Sequence, residues 1–509
     1  MLQHHFIDSA RKHPKKLAFI DGTTKREVSY ERALIGSLIL ARRFRKLERG
    51  RIGILLPTSA GAGLAIIGTA MAGLTPVMIN YSTGAKENCV FAHQQCDFRI
   101  IITSRLLLEK VNCKELPGMV FLEDIMDELG RYEKVLALLK SRLPGAWLKR
   151  LCGRLDLDKP AVILFTSGSE REPKIVQLTQ RNLLANIHSF TEMMDLQEMD
   201  SLLAVLPYFH VMGFTVALWT PLYLGITSVN YSNPLEFKTV AKLIEQHQPH
   251  IIIGTPLFLE GYARQSQAGD FAGVKLAVCG ADKCPEALRE LYRSKHQLEI
   301  HEGYGTTETS PVISANPQHR NRPGSIGLPI PGVEVKIVNY DTGEPCRIGE
   351  TGKITVCGEN VMQGYLNDVE ETSMRLKSGW YDTGDLGYLD EDGYLWHQGR
   401  LRRFVKIGGE MISLVRVEDA LNEVTPEEVE CGAIELPDSK RGSRIVAVTS
   451  LEVDGQEVNK KLADLLPNLA LPKKYVIVAE FPRMGSGKTD FRTLTAIVRE
   501  MEEEEAEGE

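Results

Sequence analysis

Residues 161–179 read AVILFTSGSEREPKIVQLT: an apolar run, a turn rich in small and hydroxyl residues, and, after Pro173, a lysine, Lys174. A short apolar run bounded by turn residues has the pattern of a buried strand. The turn Thr166-Ser167-Gly168-Ser169 supplies backbone N–H groups and hydroxyls to which phosphate oxygens can bond, and Lys174 adds positive charge. Alone, such a turn is equally an ordinary loop.

The same texture recurs on both sides. Apolar runs bounded by Gly or Pro occur at RIGILLP (51–57), PVMIN (76–80), RIIIT (99–103), HIIIGTP (250–256) and KLAVCG (275–280). Between several of them lie stretches with helical apolar spacing, such as TQRNLLANIHSFTEMM (179–194), where Thr179 is an N-cap candidate. Strands alternating with helices predict an α/β fold, a large N-terminal domain of layered, mostly parallel sheets and helices. After about Pro323 a Gly-punctuated β pattern predicts a β-rich subdomain over 323–401, and 402–509 reads as a small α+β C-terminal domain. The run Glu502–Glu509 is nearly all acidic and reads as a solvated tail.

Composition narrows the function classes. At 509 residues and 43% hydrophobic the chain can bury a large core, and a net charge of -7 gives no global reason to bind nucleic acid. Nine cysteines without a CxxC pair read as free thiols in a reducing compartment. The first twenty residues lack a signal-type apolar run, so a cytoplasmic location is expected. The apolar stretch Ala60–Leu74 lies between Pro57 and Pro76, short of the roughly 20 residues a bilayer needs, and reads as a buried core helix. Residues 130–155 interleave Arg131, Lys134, Lys140, Arg142, Lys149, Arg150 and Arg154 with leucines and Trp147. This is either a solvated basic face or a docking surface for anionic lipid heads or an acidic protein, which would place the chain peripherally on the inner face of the membrane.

Further motifs carry chemistry. In EGYGTTETSP (302–311), Tyr304 can stack on a base, Thr306 and Thr307 can bind phosphate, and Glu308 can hold Mg2+. In YDTGDLGYLDEDGYL (381–395), Asp385 is read in a tight turn, suited to gripping ribose hydroxyls; a calcium loop is the competing reading, but the EF-hand ligand order is missing. GRLRRFVKIGGEMIS (399–413) and PRMGSGKTDFR (482–492) follow; the second lacks the first glycine of a Walker A loop, because position 482 is Pro.

In this order and spacing, the five segments resemble the adenylate-forming superfamily of acyl-CoA synthetases, luciferases and peptide-synthetase adenylation domains, over nearly the whole chain. The TSGSE loop, the GRLRRFVKIGGEMISL run and the basic Leu/Trp segment most resemble the acyl-acyl carrier protein synthetases, the activating part of bifunctional 2-acylglycerophosphoethanolamine acyltransferases. No His has an Asp five positions later, so the acyltransferase half is expected to be absent.

The resemblance implies ATP and Mg2+ as cofactors, and a long-chain fatty acid activated as acyl-adenylate and passed to the phosphopantetheine thiol of acyl carrier protein. By similarity, Thr166, Ser167, Gly168, Ser169 and Lys174 form the phosphate loop, and Gly280, Ala281 and Tyr304 line the adenine pocket. Thr307 meets the α-phosphate, Glu308 holds the metal, Asp385 and Arg400 hold the ribose, and Lys488 stabilises charge at the reacting phosphorus. The acid pocket begins at His210 and Phe214, with Gly213 giving room; Arg402 is the hinge of a mobile C-terminal domain, and Gly409 lies along the thiol tunnel. In isolation Lys488 would read as a surface lysine, and YFHVMGF (208–214) as packed core. Arg171 and Ile175 depart from the family's glycines, which puts loop flexibility in question. Two alternatives stay open: a fatty acyl-CoA synthetase, since Arg402, Arg403 and Lys406 can meet either acceptor, and a catalytically degenerate scaffold.

Overall fold

The computed structural model describes residues 1–153, 155–166, 173–407, 410–426, 428–438, 442–483 and 488–508. It forms two compact units: one from Met1–Thr166, Pro173–Val335 and Val356–Tyr381, the other from Lys336–Thr355 and the chain from Asp382 onward.

The first unit is built on two sheets. In one, the strands follow the order Leu328–Pro329, Val312–Ala315, Ile300–Gly305, Leu276–Gly280, Ile251–Gly254, Ser201–Ala204, Thr227–Asn230, Leu17–Asp21 and Arg26–Ser29. The six strands from Ile300–Gly305 to Leu17–Asp21 are parallel, with antiparallel strands at both edges. The other sheet runs Met119–Phe121, Ile101–Thr103, Arg51–Ile54, Thr75–Met78, Pro160–Phe165 and Ile175–Thr179, parallel except for the last pair. Every apolar run with the strand pattern contributes to one of these strands. Such runs fit parallel sheets because both faces are covered by helices and alternation is lost.

The stretch Ala60–Ala72 is a buried helix capped by Ser59, whose side chain accepts from the Ala62 N–H, and closed by Gly73 at φ 80°. Its glycines let neighbours approach: a Cβ at Gly68 would stand 2.8 Å from Leu40 Cβ. Among the described residues no helix is long and apolar enough to cross a membrane.

After Pro323 the chain forms the strands Val333–Val338, Gly352–Gly358, Trp380–Leu389 and Leu395–Arg400. In the second unit, the antiparallel pair Cys431–Asp438 and Gly442–Thr449 is joined in parallel by Lys474–Ile477. Side-chain alternation splits this sheet between two cores. Ala433, Ile445 and Ala447 pack with Val417 and Leu421, while Ile434, Val446 and Val448 pack with Leu494 and Val498. The acidic end differs from the solvated tail that was expected. The helix Phe491–Gly508 continues through it, carried by Leu494 and Val498, and Glu502 pairs with Arg444 at 2.6 Å. All nine cysteines are free.

Candidate active site

The phosphate-loop candidate connects two paired strands. Phe165 stands opposite Ile175, the Thr166 N–H donates to the Lys174 carbonyl at 2.9 Å, and the Lys174 N–H donates to Thr166 Oγ1 at 3.2 Å. These bonds fix both ends of the turn; Ser167, Gly168, Ser169 and Arg171 lie outside the described residues. Ile175 is buried in the core as the first residue of its strand, so its bulk serves packing beyond the turn. The Lys174 ammonium pairs with Glu371, which Arg375 also holds at 3.1 Å, and sits 5.0 Å from the centre of the Tyr365 ring.

Tyr365 links this lysine to the second candidate segment, because its hydroxyl donates to Glu308 Oε1 at 2.8 Å. Burial, and then the Glu308 carboxylate, push the Tyr365 hydroxyl well above the usual phenol range, so it remains a proton-bearing donor at neutral pH. Glu308 belongs to the short turn Thr307–Thr309, which is strongly braced. Thr306 and Thr309 cap it reciprocally, and two buried asparagines clamp it: Asn186 accepts from the Val312 N–H and donates to its carbonyl, and Asn360 donates to the Thr309 carbonyl at 3.0 Å. Among the described residues no group of three or more His, Cys, Asp or Glu is placed to hold a metal. One braced carboxylate is nevertheless the donor set that fits Mg2+, which binds through one or two carboxylates plus substrate phosphates and keeps its waters.

The adenine and acid-pocket candidates meet at the carboxyl ends of the parallel strands, the edge where open α/β sheets bind ligands. Gly280 ends its strand opposite Gly303, Ala281 follows at φ 70°, and Tyr304 lies near the end of the next strand. A Cβ at Gly280 would come within 3.7 Å of Met212 Sδ, which brings the start of the helix leading into Gly213–Trp219 to the same edge. His210 N–H donates to the Pro207 carbonyl, and the His210 carbonyl accepts from the Phe214 N–H. Phe214 is fully buried. At Gly213 a Cβ would lie 1.9 Å from the Pro207 carbonyl oxygen, so the close approach of the chain's own backbone requires glycine there.

In the second unit Asp385 is in the strand Trp380–Leu389, where a tight turn was expected; that turn comes later, where the Asp390 carboxylate accepts from the Asp392 and Tyr394 N–H groups. Asp385 is buried, stands opposite Arg400 in the strand register, and lies 3.4 Å from the Arg400 Nε. Lys488 is partly buried beside the bridge between Arg483 and Thr489. Arg402 falls in the short helical turn Leu401–Arg403, and Gly409 lies outside the described residues. Arg403, read from sequence as a contact for the acceptor, is engaged within this unit by Glu418 and by the Phe491 ring at 3.7 Å.

Several supporting residues escaped the sequence reading: Asn186, Asn360, Tyr365, Glu371 and the buried pair Arg289–Glu302, 2.7 Å apart. A further supporting residue, Asn182, had a local signal. It completes the capping box that Thr179 begins, and it reaches the carbonyls of Glu359 and Val361.

Comparison with known proteins gives a consistent picture. The family model of AMP-binding enzymes matches residues 6–366, and that of the AMP-binding enzyme C-terminal domain matches residues 416–488. A long-chain-fatty-acid–CoA ligase of Bacillus subtilis is 34% identical over 341 residues, 64% of this chain and 60% of that protein, so the matched part spans less than two thirds of that relative's length. A long-chain-fatty-acid–CoA ligase of Haemophilus influenzae is 27% identical over 96% of this chain and 93% of its own. The o-succinylbenzoate coenzyme A synthetase of Bacillus subtilis, solved with ATP and magnesium ion, superposes with a TM-score of 0.80 at 23% identity, covering 96% of this chain and 98% of that one.

Proposed function

The chain belongs to the AMP-binding enzymes, adenylate-forming proteins that use ATP and Mg2+, and on that premise we propose that it activates a long-chain fatty acid as an acyl-adenylate and transfers the acyl group to the thiol of coenzyme A. The observation that carries this reading is the Lys174–Tyr365–Glu308 arrangement, a cation, a proton-bearing donor and a braced carboxylate assembled from three distant segments. The fatty acid and coenzyme A are supported by the names of the relatives from Bacillus subtilis and Haemophilus influenzae. They favour coenzyme A over the carrier protein expected from sequence.

In this mechanism Thr166, Ser167, Gly168, Ser169 and Lys174 hold the β- and γ-phosphates, Thr307 meets the α-phosphate, and Glu308 holds Mg2+, which offsets phosphate charge. Gly280, Ala281 and Tyr304 receive the adenine, Asp385 and Arg400 the ribose, and His210 and Phe214 border the acid. A carboxylate oxygen of the acid attacks the α-phosphorus, the bond to pyrophosphate breaks, and Lys488 stabilises the charge that develops. Domain 402–509 then reorients on domain 1–401 about Arg402. The thiol loses its proton and attacks the acyl carbonyl alongside Gly409, and AMP leaves.

The test is thioester formation from ATP, Mg2+ and palmitate with coenzyme A and holo-acyl carrier protein offered side by side. Palmitoyl-CoA as the main product supports the proposal. Preference for the carrier protein would reverse the acceptor, and no turnover with any acid would point to a degenerate scaffold.

A further inference from the structure

The segment 130–155 forms the helices Arg131–Ser141 and Gly145–Leu151, and their placement decides between the readings left open by sequence. The first helix already buries one face. Glu133, Leu136, Ala137 and Lys140 line a cleft with Leu38, Ile39 and Arg42 of the helix Tyr30–Leu47. A helix with one face packed should turn polar residues outward. Here Tyr132, Val135 and Leu139, spaced three and four apart, lie on the outside, with Tyr132 70% and Leu139 61% exposed. Trp147 is 69% exposed on the second helix, and Leu151 and Leu155 extend the apolar surface beyond it. A merely solvated basic face would not carry these residues.

On the two helices themselves the exposed charges are basic, while Asp8 pairs with Lys149 at 2.6 Å and Asp156 is exposed beyond Leu155. Arg131, Lys134, Arg142 and Arg150 are exposed. Glu133, the one acidic residue between 130 and 153, is turned inward and neutralised by Arg43 at 2.6 Å, and Arg43 also holds Glu128. Exposed cations thus flank exposed aliphatic side chains, with Tyr and Trp among them. That combination matches the boundary of an anionic bilayer, where cations meet lipid phosphates, aromatic rings occupy the headgroup level and aliphatic side chains enter the acyl region.

We propose that the outer face of these two helices docks the protein on an anionic lipid surface. The surface is independent of the proposed chemistry, and vesicle binding requires no catalysis, so the two readings fail separately. In co-sedimentation, the full chain is expected to bind phosphatidylcholine vesicles containing phosphatidylglycerol and to leave pure phosphatidylcholine vesicles largely unbound. Replacing Arg131 or Arg150 by Ser should weaken binding about 5-fold each. Leu139→Glu or Trp147→Glu should weaken it roughly 10-fold. Thermal unfolding should stay unchanged, since these side chains are exposed. Absence of vesicle binding, or binding indifferent to lipid charge and to all four variants, would overturn the proposal. So would concentration-dependent self-association abolished by the same variants, which would make the face an interface between copies.

Discussion

Tyr365 shows how a residue without a sequence signature can govern one that has it. Its hydroxyl holds Glu308, and its ring lies under Lys174, so a single side chain orients the carboxylate proposed for Mg2+ and the cation proposed for phosphate. Tyr365→Phe keeps the ring and deletes the hydroxyl. Partners that orient metal-binding carboxylates commonly contribute about 10- to 100-fold in metal affinity, so the variant should need about 10-fold more Mg2+ for half-maximal rate. A Mg2+ titration of pyrophosphate exchange checks this, and an unchanged midpoint would remove Tyr365 from the metal's support. At the same scale, burial lowers the His5 pKa to about 4 from an ordinary 6.5. Between these values the unfolded chain carries more protons than the folded one, so stability from a neutral His5 is complete above about pH 6.5 and is lost as pH falls towards 4. Urea midpoints for the parent protein and His5→Gln should therefore show a smaller acid loss in the variant; parallel curves would contradict it.

At the scale of elements, the helix Gln180–Met193 is the brace of the site. Its Thr179–Asn182 capping box fixes its start, and Asn186, one turn later, bonds both backbone groups of Val312 beside the Thr307–Thr309 turn. Asn186→Ala removes these bonds from a fully buried position and should cost about 1–3 kcal/mol. The midpoint of chemical unfolding reads this directly, and a shift near zero would mean that the turn holds without its clamp. The strands were legible because runs such as 251–254 and 276–280 are apolar throughout, as burial on both faces demands, and the motifs were legible because each is local. Asn360 and Glu371 were not, since their meaning arises only when distant segments meet. Asp385 was misplaced into a turn because the Gly and Asp around it mimic turn composition, whereas it forms the first pair, with Arg400, of the ladder that runs on to Leu389.

For the whole molecule, the proposal divides two half-reactions between two faces of a mobile C-terminal domain, with Lys488 serving only the first. Lys488→Ala should therefore lower adenylate formation by at least about 100-fold, the usual scale for a lost charge-stabilising donor, and largely spare thioester formation from supplied acyl-AMP. Equal loss in both steps, measured by single turnover, would sink that division. The central claim, that this chain forms an acyl-adenylate from a fatty acid, is tested most directly by ATP–pyrophosphate exchange with and without palmitate in the presence of Mg2+. The account predicts exchange that depends on the added acid and collapses in Glu308→Gln; acid-independent exchange, or none with fatty acids of any length, would contradict it.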